Sequence, residues 1–260
     1  MTITNCSRAA ALFALGALAL SATVSTQVWA QAPTVDPAAV QILKRMTDYL
    51  GSLQQFSVHT QNTIEDMLDS GHRVDLDLSV NVIVSRPNKL RAERSGDLIN
   101  QVFYYNGKDL TLYNPSDKVY ATLGAPDTIE GMLDFARTSL GIIIPAADLI
   151  YRNGFALLMQ DVSSATVVGK VVIGGVKCDQ LLFSRPGVDF QVCVADGGPP
   201  LPPKYVVTDT STPALLSVTT VASDWNVAPA VADARFTFVP PQGATAITFM
   251  RLDAGSAANR

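Results

Sequence analysis

Charge and histidine are both scarce in this chain of 260 residues. Charged residues make up 16% of it, and His59 and His72 are its two histidines. Nineteen basic residues stand against 23 acidic ones, and the basic residues form no cluster. Nucleic acid and anionic membrane surfaces are therefore not expected as partners. GxGxxG, P-loop, GxSxG and HExxH motifs are all missing, so dinucleotide binding, phosphate cradling, serine acyl transfer and zinc hydrolysis lack their usual residues. The two histidines fall on the two strands of one predicted hairpin. Without a clustered third ligand they do not make a zinc site, and they read as sheet-face residues. No cofactor, no metal and no enzymatic activity is expected. Beyond residue 30 no apolar run approaches the ~20 residues of a membrane-spanning helix.

The first thirty residues read as a signal peptide. Arg8 supplies a positive n-region, Ala9 to Leu20 an apolar h-region, and Val28-Trp29-Ala30 a small-residue cleavage site. A signal-anchor is the alternative. Cleavage after Ala30 leaves residues 31–260 as one exported, periplasmic domain. Loss of Arg8 leaves 18 basic against 23 acidic residues, a net charge of −5.

What is abundant is alternation. In Arg73 to Val84, RVDLDLSVNVIV, every even position is apolar and the odd positions are polar up to Asn81. A period of two sustained this long marks a β-strand with one buried and one wet face. Asp75 and Asp77 share the wet face. Paired carboxylates can do acid–base work, but a solvated strand face accounts for them. Arg91, Glu93 and Arg94 read the same way.

Other strands are expected at Gln55–Met67, Lys89–Arg94, Leu98–Tyr105, Asp109–Tyr113 and Val119–Leu123. Tight turns join them, Asn106-Gly107 being the strongest hairpin signal. More strands follow at Thr166–Ile173, Val176–Ser184, Val188–Ala195, Pro203–Thr210, Leu215–Trp225 and Arg235–Phe238. Together they predict a mainly β (α+β) fold of about eleven antiparallel strands. Thr34–Leu50 should be a helix, capped by Asp36 with Pro37 at its first position. Its stripe is Val40, Leu43, Met46 and Leu50, and Gly51 is expected to end it. A second helix should run from a cap at Asp127 or Thr128 to Leu140, with an Asp134–Arg137 surface pair. Short helices are expected at Pro145–Tyr151 and Phe155–Gln160. The polar tail after Leu252 should fray.

Cys178 and Cys193 remain after cleavage, and an even count in an exported chain points to a disulfide. Placing Phe183 opposite Val188 across the Arg185-Pro186-Gly187 turn sets Cys178 directly opposite Cys193. Two buried free thiols are the alternative.

A sheet of about eleven strands curls, and its concave face needs filling. Either the helices complete a solid core, or they roof an apolar cavity for a lipid or acyl chain. Candidate lining residues are Ile129, Met132, Leu133 and Leu140 from the helical insert, with Val80 and Val82 from the long strand.

Several stretches, in order, resemble a known family: Phe56-Ser57, RPNKLR at 86–91, YYNGKDLTLY at 104–113, KVYA at 118–121 and IIIPAADLI at 142–150. CDQLLF at 178–183, VDFQVCVADG at 188–197, LPPKYVVT at 201–208 and FTFVPPQGATAI at 236–247 continue the series. The chain resembles the predicted periplasmic proteins named domain of unknown function 2092. That family is similar in fold to the lipoprotein carriers LolA and LolB, to mycobacterial lipid-carrying lipoproteins and to the stress sensor RseB. The resemblance implies an unclosed antiparallel half-barrel with helices over its concave face (a LolA-like fold). It also implies a hydrophobic ligand or lipidated protein as partner, or alternatively an envelope protein docked on the same half-barrel. Arg86 and Arg91 are the candidates nearest to the carriers' ligand-gating arginine.

Overall fold

Thirteen-residue strands at Gln55–Met67 (β1) and Arg73–Ser85 (β2) pair antiparallel along their whole length, from Gln55 opposite Ser85 to Met67 opposite Arg73. The computed structural model of the chain describes residues 34–96, 99–142 and 144–249. The expected signal peptide, Cys6 and the tail after Leu252 lie outside the described residues. Lys89–Gly96 (β3), Ile99–Tyr105 (β4), Asp109–Asn114 (β5) and Val119–Gly124 (β6) continue the meander. Ser164–Ile173 (β7), Val176–Arg185 (β8), Val188–Ala195 (β9), Lys204–Asp209 (β10) and Ser217–Asn226 (β11) form the second series. β11 returns to pair with β1, joining the two series into one sheet. A two-residue strand, Thr245–Ala246 (β12), adds in parallel to β6. The order is β12-β6-β5-β4-β3-β2-β1-β11-β10-β9-β8-β7, so the outer strands do not meet and the barrel stays open.

The alternation of β2 sorts as its chemistry dictates. Leu78, Val80 and Val84 are buried, while Asp75 and Asp77 are exposed on the opposite face. Asp77 accepts a hydrogen bond from Thr63 at 2.6 Å across the β1–β2 ladder.

Two helices divide the concave face. Pro37–Ser52 (α1) starts as expected, with the Asp36 carboxylate accepting from the Ala38 N–H at 2.8 Å. It lays Ala39, Leu43, Met46 and Leu50 on Leu181, Phe183, Phe190 and Val192 of β8 and β9. Gly51 does not end this helix, which continues to Ser52. A Cβ at Gly51 would stand 2.4 Å from the Arg152 carbonyl oxygen, so the glycine serves a close backbone approach. Ile129–Leu140 (α2) is capped by Thr128, whose hydroxyl accepts from Gly131 N–H at 3.1 Å, and Gly141 ends it in the left-handed region. α2 packs Ile129, Met132, Leu133 and Ala136 on the β1–β5 side. A 3-10 turn at Ala147–Leu149 and a short helix at Gly154–Met159 (α3) link the two helical patches.

Two local expectations are corrected. Arg235–Phe238 is not a strand: Asp233–Phe236 is a 3-10 turn that buries Phe236. Phe238 then enters a nest of Tyr104, Tyr113 and Tyr120, with ring centroids 4.9–5.3 Å away. Aromatic packing of a returning segment wins over strand propensity there. Cys178 and Cys193 do form a disulfide, with Cα atoms 5.5 Å apart. They are not direct cross-strand partners, however, for Cys178 faces Ala195 and Cys193 faces Gln180. Pro186-Gly187 makes a two-residue turn with Arg185 opposite Val188, which shifts the register by two. The side chains stay on one face and bridge diagonally.

Candidate functional site

The concave side of β1–β5 is built of cross-strand rows. Phe56, Val84, Leu90, Tyr105 and Leu110 face one another in the first row. Val58, Val82, Ala92, Phe103 and Leu112 make the second. Thr60, Val80, Arg94 and Gln101 make the third. Asn62 and Leu78 follow, with Thr220 of β11 beside Asn62. The period of two puts each row on the same face.

Between these rows and the helices lies a cavity of about 80 Å³. Met132, Leu133 and Ala136 of α2 and Ile144 to Ala146, Leu149 and Ile150 of the following segment form its roof. Val80 and Val82 line the floor. Of the remaining residues singled out from the sequence, Ile129 is fully buried in the same core and Leu140 packs against that core. Neither borders the cavity.

The third and fourth rows change the chemistry. Asn62 donates to the Thr60 hydroxyl at 2.9 Å and accepts from Thr220 at 2.7 Å. Arg94, expected on a solvated face, turns inward instead. Parity decides it: residue 94 shares its face with Leu90 and Ala92, whereas Arg91 and Glu93 face outward and pair at 2.5 Å. The Arg94 guanidinium lies 4.8 Å from the Phe103 ring centroid and donates to the Gln101 amide oxygen from Nε at 2.9 Å and from Nη2. Burial pulls its pKa down to about 10, so it stays cationic at neutral pH. At the opposite end Trp225 lines the wall 5.8 Å from Phe56, and its buried indole N–H has no hydrogen-bond partner.

Polar contacts hold the roof down. Arg86 is almost fully buried and donates to the Leu53 carbonyl at 3.1 Å, the Ile150 carbonyl at 2.5 Å and Glu130 at 3.4 Å. Desolvation lowers its pKa, opposed by the Glu130 carboxylate. Glu130 also accepts from Arg152 N–H at 3.0 Å. The Tyr105 hydroxyl donates toward the carbonyls of Pro126 and Thr128, the latter at 3.1 Å, and burial raises its pKa to about 12. Tyr151 donates to Asp134 at 2.8 Å, and Asp134 also pairs with Arg137 at 2.7 Å. Arg91 points away from the cavity and stacks on Tyr104 at 4.9 Å. Of the two candidate gating arginines, only Arg86 touches the roof.

Chemistry elsewhere is sparse. His59 lies opposite Asn81 and bonds it at 2.9 Å, whereas His72 sits before Arg73 at the far end of the hairpin. Among the described residues no group of three or more His, Cys, Asp or Glu is placed to hold a metal ion, and no helix is long and apolar enough to cross a membrane.

Solved structures with similar backbones include LprF from Mycobacterium bovis, at 15% identity and TM-score 0.48, covering 82% of this chain and 100% of that one. An uncharacterized conserved protein from Thermus thermophilus has 11% identity and TM-score 0.48, covering 81% and 99%. A LolA superfamily protein from Nitrosomonas europaea has 13% identity and TM-score 0.43, covering 77% and 97%. No curated protein matches the sequence significantly. The family model described as predicted periplasmic protein (DUF2092) matches residues 39–250, and this chain belongs to that family.

Proposed function

We propose that this periplasmic chain is a non-enzymatic carrier or binding protein that takes the apolar chain of a lipid, acyl group or lipidated protein between its sheet and α2. The observation that carries this is the apolar cavity beneath a roof held mainly by side-chain contacts. Its volume of about 80 Å³ falls well short of the ~300–1,000 Å³ of ligand pockets. Binding therefore requires α2 and residues 144–150 to lift from Val80, Val82, Ala92 and Phe103. Each Å² of apolar surface withdrawn from water in the bound state contributes about 25 cal/mol. Val80, Val82, Met132 and Leu133 would touch the ligand. Ile129 and Leu140 would anchor α2 as it moves.

Native mass spectrometry and solvent extraction of the chain purified from its own host test this. Bound lipid is expected, and it should be lost when Met132 and Leu133 are both replaced by Asp in a variant that retains its β-sheet circular dichroism. Protein that is ligand-free, and to which no acyl probe binds, would refute the proposal.

A protein-interaction or sensor role is the second reading, favoured by the outer edge strand. Val168 and Val172 of β7 are 60% and 61% exposed, beside Val176 at 42%. An edge with exposed valines can add a partner strand. Stoichiometric capture of one envelope protein by wild-type chain, lost in Val168→Lys/Val172→Lys, would favour it over lipid carriage.

A further inference from the structure

Trp225 reaches the cavity wall through a break in the β1–β11 ladder. Ser57 of β1 pairs with Asn226 and His59 pairs with Ser223, so Asp224 and Trp225 together oppose the single residue Val58. Strict alternation from Ala222, which borders the cavity, would send residue 225 to the outer face with Val221 and Ser223. Asp224 takes up the extra position instead. It adopts the left-handed region at φ 53° and is exposed beside Ser57, His59 and Asn81. Trp225 thereby comes to the inner face and lines the cavity.

The bulge brings a polar atom inward along with the ring. An indole N–H can only donate, and this one is buried with no acceptor in reach among the described residues. Folded proteins pair nearly all such groups, because an unmatched buried donor forfeits its bond to water. The floor rows beside Trp225, those of Phe56 and Val58, are hydrocarbon side chains except for Tyr105, whose hydroxyl is turned to the Pro126 and Thr128 carbonyls. What enters the cavity is therefore the source of an acceptor. An anion at this apolar wall would need a paired counter-charge. A neutral carbonyl oxygen satisfies the donor without that cost.

We propose that Trp225 donates its indole N–H to the carbonyl oxygen of an ester- or amide-linked acyl chain whose hydrocarbon lies along the Phe56 and Val58 rows under α2. The ligand class is thereby narrowed from any hydrophobic molecule to one whose chain begins at a neutral carbonyl. This inference rests on the binding role proposed above, and the experiment separates the two.

Titration of the delipidated, 15N-labelled chain with methyl laurate, N-methyl lauramide and tetradecane compares an ester, an amide and an alkane of matched length. Trp29 and Trp225 are the chain's two tryptophans, and Trp225→Phe assigns the Trp225 indole signal in NMR spectra. Wild type should bind at least one carbonyl probe roughly three- to tenfold tighter than tetradecane, the size of one net hydrogen bond. The stronger of the two tells an ester linkage from an amide. That probe should move the indole proton downfield, and tetradecane should not. In Trp225→Phe, which keeps an aromatic ring and removes the donor, tetradecane should bind as well as either carbonyl probe. If that variant fails to fold, the wild-type indole signal decides. Equal binding of all three probes by wild type, an indole proton unmoved by a bound carbonyl probe, or a carbonyl preference that survives Trp225→Phe overturns the Trp225 assignment alone. Binding of none of them overturns the binding role as well.

Discussion

Filling the cavity separates its effect on stability from its effect on binding. Ala92 stands in the middle of the second row, between Val82 and Phe103, and borders the void. Ala92→Leu adds three carbons there. At about 24 cal/mol per Å³, the void of about 80 Å³ costs the empty protein about 2 kcal/mol. Three added carbons at about 0.8 kcal/mol each lead to a similar figure. The ligand-free variant should therefore gain up to about 2 kcal/mol, a rise of about 4–8 °C in Tm for a domain of this size. The same side chain occupies the space a ligand chain needs, so laurate affinity should fall at least about tenfold. Urea unfolding of delipidated protein and calorimetric titration measure the two quantities. Loss of about 1–3 kcal/mol, the usual penalty for overpacking, would show that the site is already filled. Gain of stability with unchanged laurate binding would show that the ligand lies elsewhere. Either result refutes the reasoning.

Three other perturbations address the roof and the sheet. Arg86→Met removes the donor shared by the Leu53 and Ile150 carbonyls, which should cost about 1–3 kcal/mol for each buried acceptor left unpaired; hydrogen exchange should report that cost as faster opening of α2. Replacing Cys178 and Cys193 together by Ala opens a link between residues 15 apart, and denaturant titration should show a loss of about 3 kcal/mol. The neutral Tyr105 hydroxyl donates to roof carbonyls, and its folded pKa of about 12 lies above the ordinary value of 10.0. Its contribution is therefore fully present below pH 10 and is lost as pH rises toward 12. Wild type should exceed Tyr105→Phe in unfolding free energy at about pH 8, and urea titrations should show that gap shrinking between pH 10 and 12.

The architecture was largely legible in the sequence because its signals are local. Alternation in Arg73–Val84, turns such as Asn106-Gly107, and the Thr128 cap each depend on a few neighbouring residues and on the backbone's own geometry. The strands and helices accordingly fall close to where these signals put them. The inward face of β2 followed from the same alternation. Arg94 could have been placed too, since it shares parity with Leu90 and Ala92. Its charge, set next to Arg91 and Glu93, suggested a solvated face and hid that parity.

Features decided by the meeting of distant segments were not legible. The two-residue shift of the β8–β9 register depends on the conformation of one turn, and alternation is satisfied equally by any even shift. Gly51 looked like a helix stop, but it answers to the carbonyl of Arg152, far along the chain. Phe238 looked like part of a strand until three tyrosines from β4, β5 and β6 were brought around it. Whether the space over Val80 and Val82 is hollow was settled only by tertiary packing. A void is the difference between the volumes of side chains on separate elements, and no local pattern encodes that difference. Sequence alone determined that this chain is an exported-type, strand-rich protein poor in reactive groups, with one face of its long strand turned inward. The tertiary structure alone decided that this face meets a small apolar cavity with a guanidinium at one end, because only the assembled sheet brings Thr60, Val80, Arg94 and Gln101 into one row beside the α2 roof.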